Sequence, residues 1–208
     1  MKSKVYVYIF DGLADWEVGY INAEINSGRY YRKDREVLKI ITMGNTRDTV
    51  VTMGGLKVVP DIVVGKFNMD DAAALILPGG NTWTDHIHDT VLSLSEKCLN
   101  NGIIVAAICG ATFGLARTGI LNERFHTSND LDFLKMICPD YNGEKYYKKE
   151  PSVIDGNLIT ASGVAPLDFT VNILNKLDVF LPEVLDSWKQ LYKTYEPKYF
   201  FEIMRLVQ

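Results

Sequence analysis

Two apolar runs, Ala72-Ala-Ala-Leu-Ile-Leu77 and Ile103-Ile-Val-Ala-Ala-Ile108, contain no polar residue. A strand with one wet face alternates apolar and polar side chains, so a strand without alternation is covered on both faces. Two such strands call for a parallel sheet, whose crossover connections lay helices over either side. Each run ends in a tight turn: Pro78-Gly79-Gly80 after the first, Cys109-Gly110-Ala111 after the second.

The rest of the chain fits that frame. Val5 to Phe10 is β-branched and aromatic and stops at Asp11-Gly12. From Asp15 the spacing turns helical, with Trp16, Tyr20, Ala23 and Ser27 on one face and Gly28 as the stop. Val37 to Met43 reads as a second strand, and Val50 to Val59 as two short strands turning at Gly54-Gly55. A helix is expected from Thr84 to Asn101, closed by Gly102, and a short one from Cys109 through Arg117. Asp155-Gly156 marks a hairpin between Val153-Ile154 and Leu158 to Ala161, and Pro166 opens a helix to Leu177. The predicted class is α/β: a mostly parallel central sheet with helices on both faces. Past Phe180, Trp188, Leu191, Tyr192 and Tyr195, then Tyr199, Phe200, Ile203 and Leu206, mark amphipathic helices. Residues 1–178 are thus expected to form the α/β domain and 179–208 a helical C-terminal extension packed on its core.

Composition excludes several function classes. The 208 residues suit one domain, and 47% apolar with 23% charged residues is ordinary for a globular chain. A net charge of −4 with mixed signs gives no groove for nucleic acid and no face for acidic lipid. The densest basic stretch, Lys145 to Lys149, is interleaved with Tyr146 and Tyr147 and flanked by Glu144 and Glu150, as in a solvated loop or strand edge. Neither a cleavage signal nor a long apolar stretch stands at the N-terminus, so no membrane partner is expected. The three cysteines, Cys98, Cys109 and Cys138, are an odd, widely spaced set that implies reduced thiols in a cytoplasmic protein. Asp85, His86, His88 and Asp89 spread around a helix and do not line one face, so neither a metal nor a cofactor is expected, and both histidines are read as surface residues.

In an open parallel sheet, function collects at the carboxyl ends of the strands. Three such ends converge here: Asp11 to Glu17, Pro78-Gly79-Gly80 and Cys109-Gly110-Ala111. A nucleophile on a strand-to-helix turn needs small neighbours, which Ala107, Gly110 and Ala111 supply. The turn aims the sulfur at a helix N-terminus, whose free N–H groups are expected to lower the thiol pKa. The backbone N–H groups of Gly79, Gly80 and Gly110 can cradle an oxyanion. Read without that context, Cys109 is a small buried cysteine, Pro-Gly-Gly an ordinary turn and Glu17 a carboxylate favoured by a helix dipole.

The strand with Asp11-Gly12 and Glu17, Leu77-Pro-Gly-Gly80, Ala106-Ala-Ile-Cys-Gly-Ala111 and Asp155-Gly-Asn-Leu-Ile-Thr-Ala-Ser-Gly163 together resemble the ThiJ/PfpI (glutamine-amidotransferase-like) superfamily, from about Val5 to Leu177. That group includes PfpI-type intracellular proteases and a Parkinsonism-associated redox protein. The resemblance implies a flavodoxin-like α/β sandwich, usually a homodimer. It makes Cys109 the nucleophile, Glu17 the carboxyl that contacts its sulfur, and Gly80 and Gly110 the oxyanion-hole amides. Such a Glu assists a thiolate only when it is protonated and donates, a state that burial favours. Asp168 and Phe169 match a segment beside the pocket.

The histidine is where the chain departs from the pattern. Some members place it directly after the cysteine, where Gly110 stands; others place it at the end of the next short strand. In Arg124-Phe-His-Thr-Ser-Asn129, unbroken spacing puts Ser128 or Asn129 there, and a small register shift brings His126 instead. Two main functions follow. One is a cysteine-dependent hydrolase (amidase- or peptidase-like) or lyase acting on a small molecule, with Glu17 or His126 moving the proton. The other is a non-enzymatic redox or stress-response protein whose Cys109 is oxidised to a sulfinic acid. A third, a binding domain that keeps the elbow only as structure, is also open. Glutamine amidotransfer is disfavoured, because that chemistry uses a late His–Glu pair and no histidine follows His126.

Overall fold

Strand β1 (Lys4–Tyr8) leads into helix α1 (Asp15–Ser27), β2 (Lys39–Gly44) and a small hairpin, β3 (Val50–Val51) and β4 (Lys57–Val58). Next come β5 (Ile62–Val63), β6 (Ala72–Leu77), α2 (Asp89–Asn100), β7 (Ile104–Ile108), α3 (Gly110–Arg117) and α4 (Leu131–Ile137). The chain closes with β8 (Ser152–Asp155), β9 (Leu158–Ala161), α5 (Pro166–Leu177), α6 (Pro182–Thr194) and α7 (Pro197–Val207). These elements belong to a computed structural model that describes residues 2–207.

Seven strands form one sheet in the order β5-β2-β1-β6-β7-β9-β8. Every pairing is parallel except that of β8 with β9, which the Asp155-Gly156 turn joins as a hairpin. The two apolar runs are the adjacent strands β6 and β7, buried almost throughout, as their lack of alternation requires. The sheet is therefore mostly parallel with a flavodoxin-like order, and the carboxyl ends of β1, β6 and β7 share one edge.

Three details differ from the sequence reading. Helix α1 buries Glu17, Val18, Ile21, Glu24 and Ile25, while Trp16, Ala23 and Ser27 lie on the exposed side. Two glutamates occupy core-facing positions, which hides the true stripe from an apolar-periodicity reading. Helix α2 begins at Asp89 and not at Thr84; residues 86–88 form a 3-10 turn that swings His88 into the interior. Strand β5 and helix α4 were not anticipated, the first because it is two residues long. The second carries its own start signal, Asp130, whose carboxylate accepts the Phe133 N–H at 2.9 Å.

The C-terminal helices form a further layer on α1 and α5. Trp188 is fully buried, meets Tyr20 edge-on and donates its Nε1–H to Glu24 at 3.0 Å. Glu24, itself 1% exposed, is paired with Arg29, which also reaches the Tyr192 hydroxyl. A buried carboxylate is tolerated because it is so paired. Trp188→Ala removes a large core side chain and one donor to that carboxylate, so stability should fall by about 3–5 kcal/mol. Urea unfolding checks this, and a loss below about 1 kcal/mol would show that α6 is not part of the core.

Candidate active site

The elbow is visible in the backbone. Cys109 follows β7 directly and takes φ 58°, ψ −125°, one of three non-glycine residues with positive φ among those described. The other two, Asp178 and Tyr195, are ordinary left-handed helix caps; Cys109 instead holds a strained conformation costing about 1–3 kcal/mol. Neighbours enforce it. The Cys109 N–H donates to Ala161 at the end of β9 at 2.9 Å, and its carbonyl accepts the Thr112 hydroxyl at 2.6 Å. Thr112 is in turn hydrogen-bonded to Ser128 at 2.7 Å, both side chains buried.

Around the sulfur, each contact comes from a different segment. Asn129 Nδ2 donates to Sγ at 3.3 Å. Asn129 Oδ1 accepts the Gly163 N–H at 2.8 Å, which fixes the orientation of the amide and makes it a donor to sulfur. The Gly110 N–H at the start of α3 also points at the sulfur. Glu17 is fully buried; its Oε2 accepts the Gly79 N–H at 2.5 Å. Its Oε1 has no hydrogen-bond partner among the described residues and lies on the side of the carboxyl next to Cys109. Glycine is needed where these groups crowd together. A Cβ on Gly79 would stand 2.6 Å from the Cys109 Cβ, and one on Gly163 would stand 2.8 Å from Sγ and 3.1 Å from Glu17 Oε1.

Electrostatics modifies the sequence expectation. Burial pushes the Glu17 carboxyl above the usual carboxylate range, and the Gly79 N–H and the thiol pull it back only partly. Burial also raises the Cys109 thiol; Asn129 and Gly110 lower it, and the adjacent Glu17 charge raises it. The expected drop in thiol pKa at a helix N-terminus is therefore outweighed. Because an ionised Glu17 raises the thiol, ionisation of one group disfavours that of the other.

Of the three glycine amides in the proposed cradle, that of Gly79 is committed to Glu17. Gly80 and Gly110 adjoin each other, the Gly80 carbonyl lying against the Gly110 Cα. Trp16, half exposed, reaches the Gly163 carbonyl at 3.4 Å and forms one rim of the site. A cavity of about 380 Å³ opens beside Asn129, lined also by Ser128, Tyr147, Ser162, Val164 and Asp168. Asp168 pairs with Lys189 at 3.2 Å, whereas Phe169 belongs to the core.

The histidines are placed otherwise than the sequence suggested. His126 is fully buried, with Nδ1 on the Arg124 carbonyl at 2.6 Å and Nε2 on the Tyr141 hydroxyl at 2.7 Å. Both ring nitrogens are engaged away from the sulfur, and Asn129 takes the position facing it. His86 is exposed beside Asp89, as expected. His88 is not a surface residue: it is fully buried between Tyr8 and Thr82. No group of three or more His, Cys, Asp or Glu side chains converges with metal-ligand geometry among the described residues. Cys98 and Cys138 are buried free thiols raised by desolvation, Cys98 to about 12. No helix among the described residues is long and apolar enough to cross a membrane.

A flavodoxin-like sheet carrying a strained cysteine elbow against a buried carboxyl is the ThiJ/PfpI class of architecture. The chain belongs to the DJ-1/PfpI family, which it matches over residues 3–176. It is 51% identical over 204 residues to the uncharacterized protease YoaZ of Bacillus subtilis, covering 98% of this chain and 97% of that one. A deglycase of Pyrococcus horikoshii is 29% identical over 66% of this chain and 81% of its own. The solved thiJ/pfpI family protein from Bacillus anthracis superposes with a TM-score of 0.96 at 48% identity, covering 100% of this chain and 98% of that one.

Two substitutions test the electrostatics. A carboxyl raised by burial contributes stability that is present below its unfolded value, about 4.3, and lost as pH rises through its folded value. Glu17→Gln should therefore gain on wild type in thermal melts as pH climbs through that window, while its alkylation profile with iodoacetamide moves to lower pH. Parallel melting curves at all pH values would refute the assignment. Asn129→Asp replaces the donor at sulfur by an acceptor and should move the alkylation midpoint up by about 1–2 pH units.

Proposed function

We propose that the protein is a cysteine-dependent hydrolase or lyase that acts on a small amide or reactive carbonyl compound. The observation that carries this reading is the close approach of the strained Cys109 to the buried carboxyl of Glu17. The pair supplies a nucleophile and a proton carrier in one dry site. The thiol passes its proton to the Glu17 carboxylate as Sγ forms a bond to the carbonyl carbon and the C=O electron pair moves to oxygen, which the Gly80 and Gly110 N–H groups receive. In the hydrolytic case the leaving group departs with the Glu17 proton. Water then attacks the thioester, expels Sγ and returns a proton to Glu17. The names of two relatives, protease and deglycase, agree with chemistry at a carbonyl carbon.

One observation favours a second reading, a redox thiol. The position facing the sulfur is Asn129, a donor that cannot take a proton. A sulfinic acid formed by a peroxide would find donors at Asn129 and Gly110 and, when protonated, at Glu17. The two readings separate by intact mass. Wild type and Cys109→Ser are exposed in parallel to p-nitrophenyl acetate and to graded hydrogen peroxide. Acetylation that depends on Cys109 and turns over supports the hydrolase; a two-oxygen addition at Cys109 without acetylation supports the redox protein. A thiol inert to both reagents overturns both.

A further inference from the structure

His88 is a buried titratable side chain for which the chemistry above has no use, and its surroundings suggest one. Its Nδ1 meets the Tyr8 hydroxyl at 3.0 Å, and its Nε2 meets the Thr82 hydroxyl at 3.0 Å. Burial holds Tyr8 well above the ordinary phenol range, so the phenol keeps its proton. Each ring nitrogen faces a hydroxyl that can donate or accept, so both nitrogens of the neutral ring are satisfied in either tautomer. Desolvation holds the imidazole down at about 4, so it is neutral at physiological pH.

The ring also stacks on Trp83, centroid to centroid 4.4 Å with planes 25° apart, and meets Phe10 edge-on at 4.8 Å. Those two aromatics are the groups that back the proposed oxyanion cradle. Trp83 donates its Nε1–H to the Pro78 carbonyl at 2.9 Å, just ahead of Gly79 and Gly80. On its other side the indole presses on α3: a Cβ on Gly110 would stand 3.1 Å from it and one on Gly114 2.7 Å. Phe10 lies against Gly80, where a Cβ would stand 2.7 Å away. His88 thus joins the end of β1 and the segment just after it, through Tyr8 and Phe10, to the 78–83 turn, through Thr82 and Trp83.

We propose that His88 is a positioning residue: with Trp83 it sets the placement of the Gly80 amide relative to that of Gly110, and so the oxyanion cradle. The inference rests on the carbonyl chemistry proposed above and assigns His88 no contact with substrate. It predicts a split between two reactions of the same thiol. Acylation by p-nitrophenyl acetate builds an oxyanion; alkylation by iodoacetamide is a displacement at carbon that builds none. A change confined to the thiol moves both rates together, whereas a misplaced amide slows only the first.

The experiment measures both second-order rate constants for wild type, His88→Phe and Thr82→Val. His88→Phe keeps a ring on Trp83 and loses both hydrogen bonds; Thr82→Val removes one hydroxyl at a half-buried position and keeps the fold testable should the first variant not fold. The ratio of acylation to alkylation should fall about tenfold or more in either variant, a part of the 100- to 1000-fold that losing a whole oxyanion donor costs. An unchanged ratio in folded variants, with wild type acylating at Cys109, overturns the role of His88 and leaves the carbonyl chemistry standing. If wild type does not acylate at all, the carbonyl reading falls and this inference falls with it.

Discussion

Burying a carboxyl group against a thiol is unfavourable if both ionise, because two negative charges then share a site that water does not screen. At least one must hold a proton, and the surrounding chain is arranged around that requirement. Glu17 Oε2 accepts a backbone N–H from Gly79, which leaves Oε1 to face Cys109. The sulfur takes donors from Asn129 and Gly110. Residues 79 and 163 have no Cβ, since one would occupy the space of the carboxyl and the sulfur. The strained backbone at Cys109 belongs to the same constraint: it brings Sγ to Glu17 while its N–H and carbonyl remain bonded to Ala161 and Thr112.

That constraint reaches the far face of the molecule through α1. Glu17 and Glu24 are seven residues apart, two turns along one stripe of this helix, so both point into the interior. One meets the elbow and the other meets Trp188 of the C-terminal extension. The layer formed by α6 and α7 therefore packs on the helix that carries the site carboxyl. A helix whose buried stripe includes two carboxylates gains less from apolar burial than its length suggests, and the Trp188 and Arg29 contacts offset the deficit.

How much could be read from the sequence follows from the same physics. Unalternated strands advertise burial on both faces, so β6 and β7 were legible to within a residue, and with them the sheet edge that carries the elbow. The glycines at 79, 80 and 110 were legible as points of close approach. The buried face of α1 was not, because a glutamate in a periodicity reading counts as solvent-facing whatever its partner. His88 was misread for a related reason: its location depends on where α2 begins, and the 3-10 turn at 86–88 turns inward a residue that a longer helix would have left outside. For Glu24 and His88 the missing information was a tertiary partner, Trp188 and Tyr8, that local sequence cannot display, whereas the resemblance had already set Glu17 beside Cys109.

The segment from Arg124 to Asn129 shows how a fold decides between neighbouring candidates. It is not a regular strand; a single bridge pairs His126 with Tyr147. Three bonds fix its register: Thr127 N–H to Thr160 at 2.9 Å, Ser128 to Thr112 at 2.7 Å, and Asn129 to Gly163 at 2.8 Å. With Ser128 tied to the residue that holds the Cys109 carbonyl, Asn129 must meet the sulfur. His126 falls on the far side, held by Arg124 and Tyr141. A slip that exchanged them would break all three bonds and leave buried hydroxyls unpaired, at roughly 1–3 kcal/mol each. The side chain offered to the sulfur is thus an amide that donates and cannot accept a proton; in the chemistry proposed above the proton falls to Glu17, whose carboxyl lies beside the thiol.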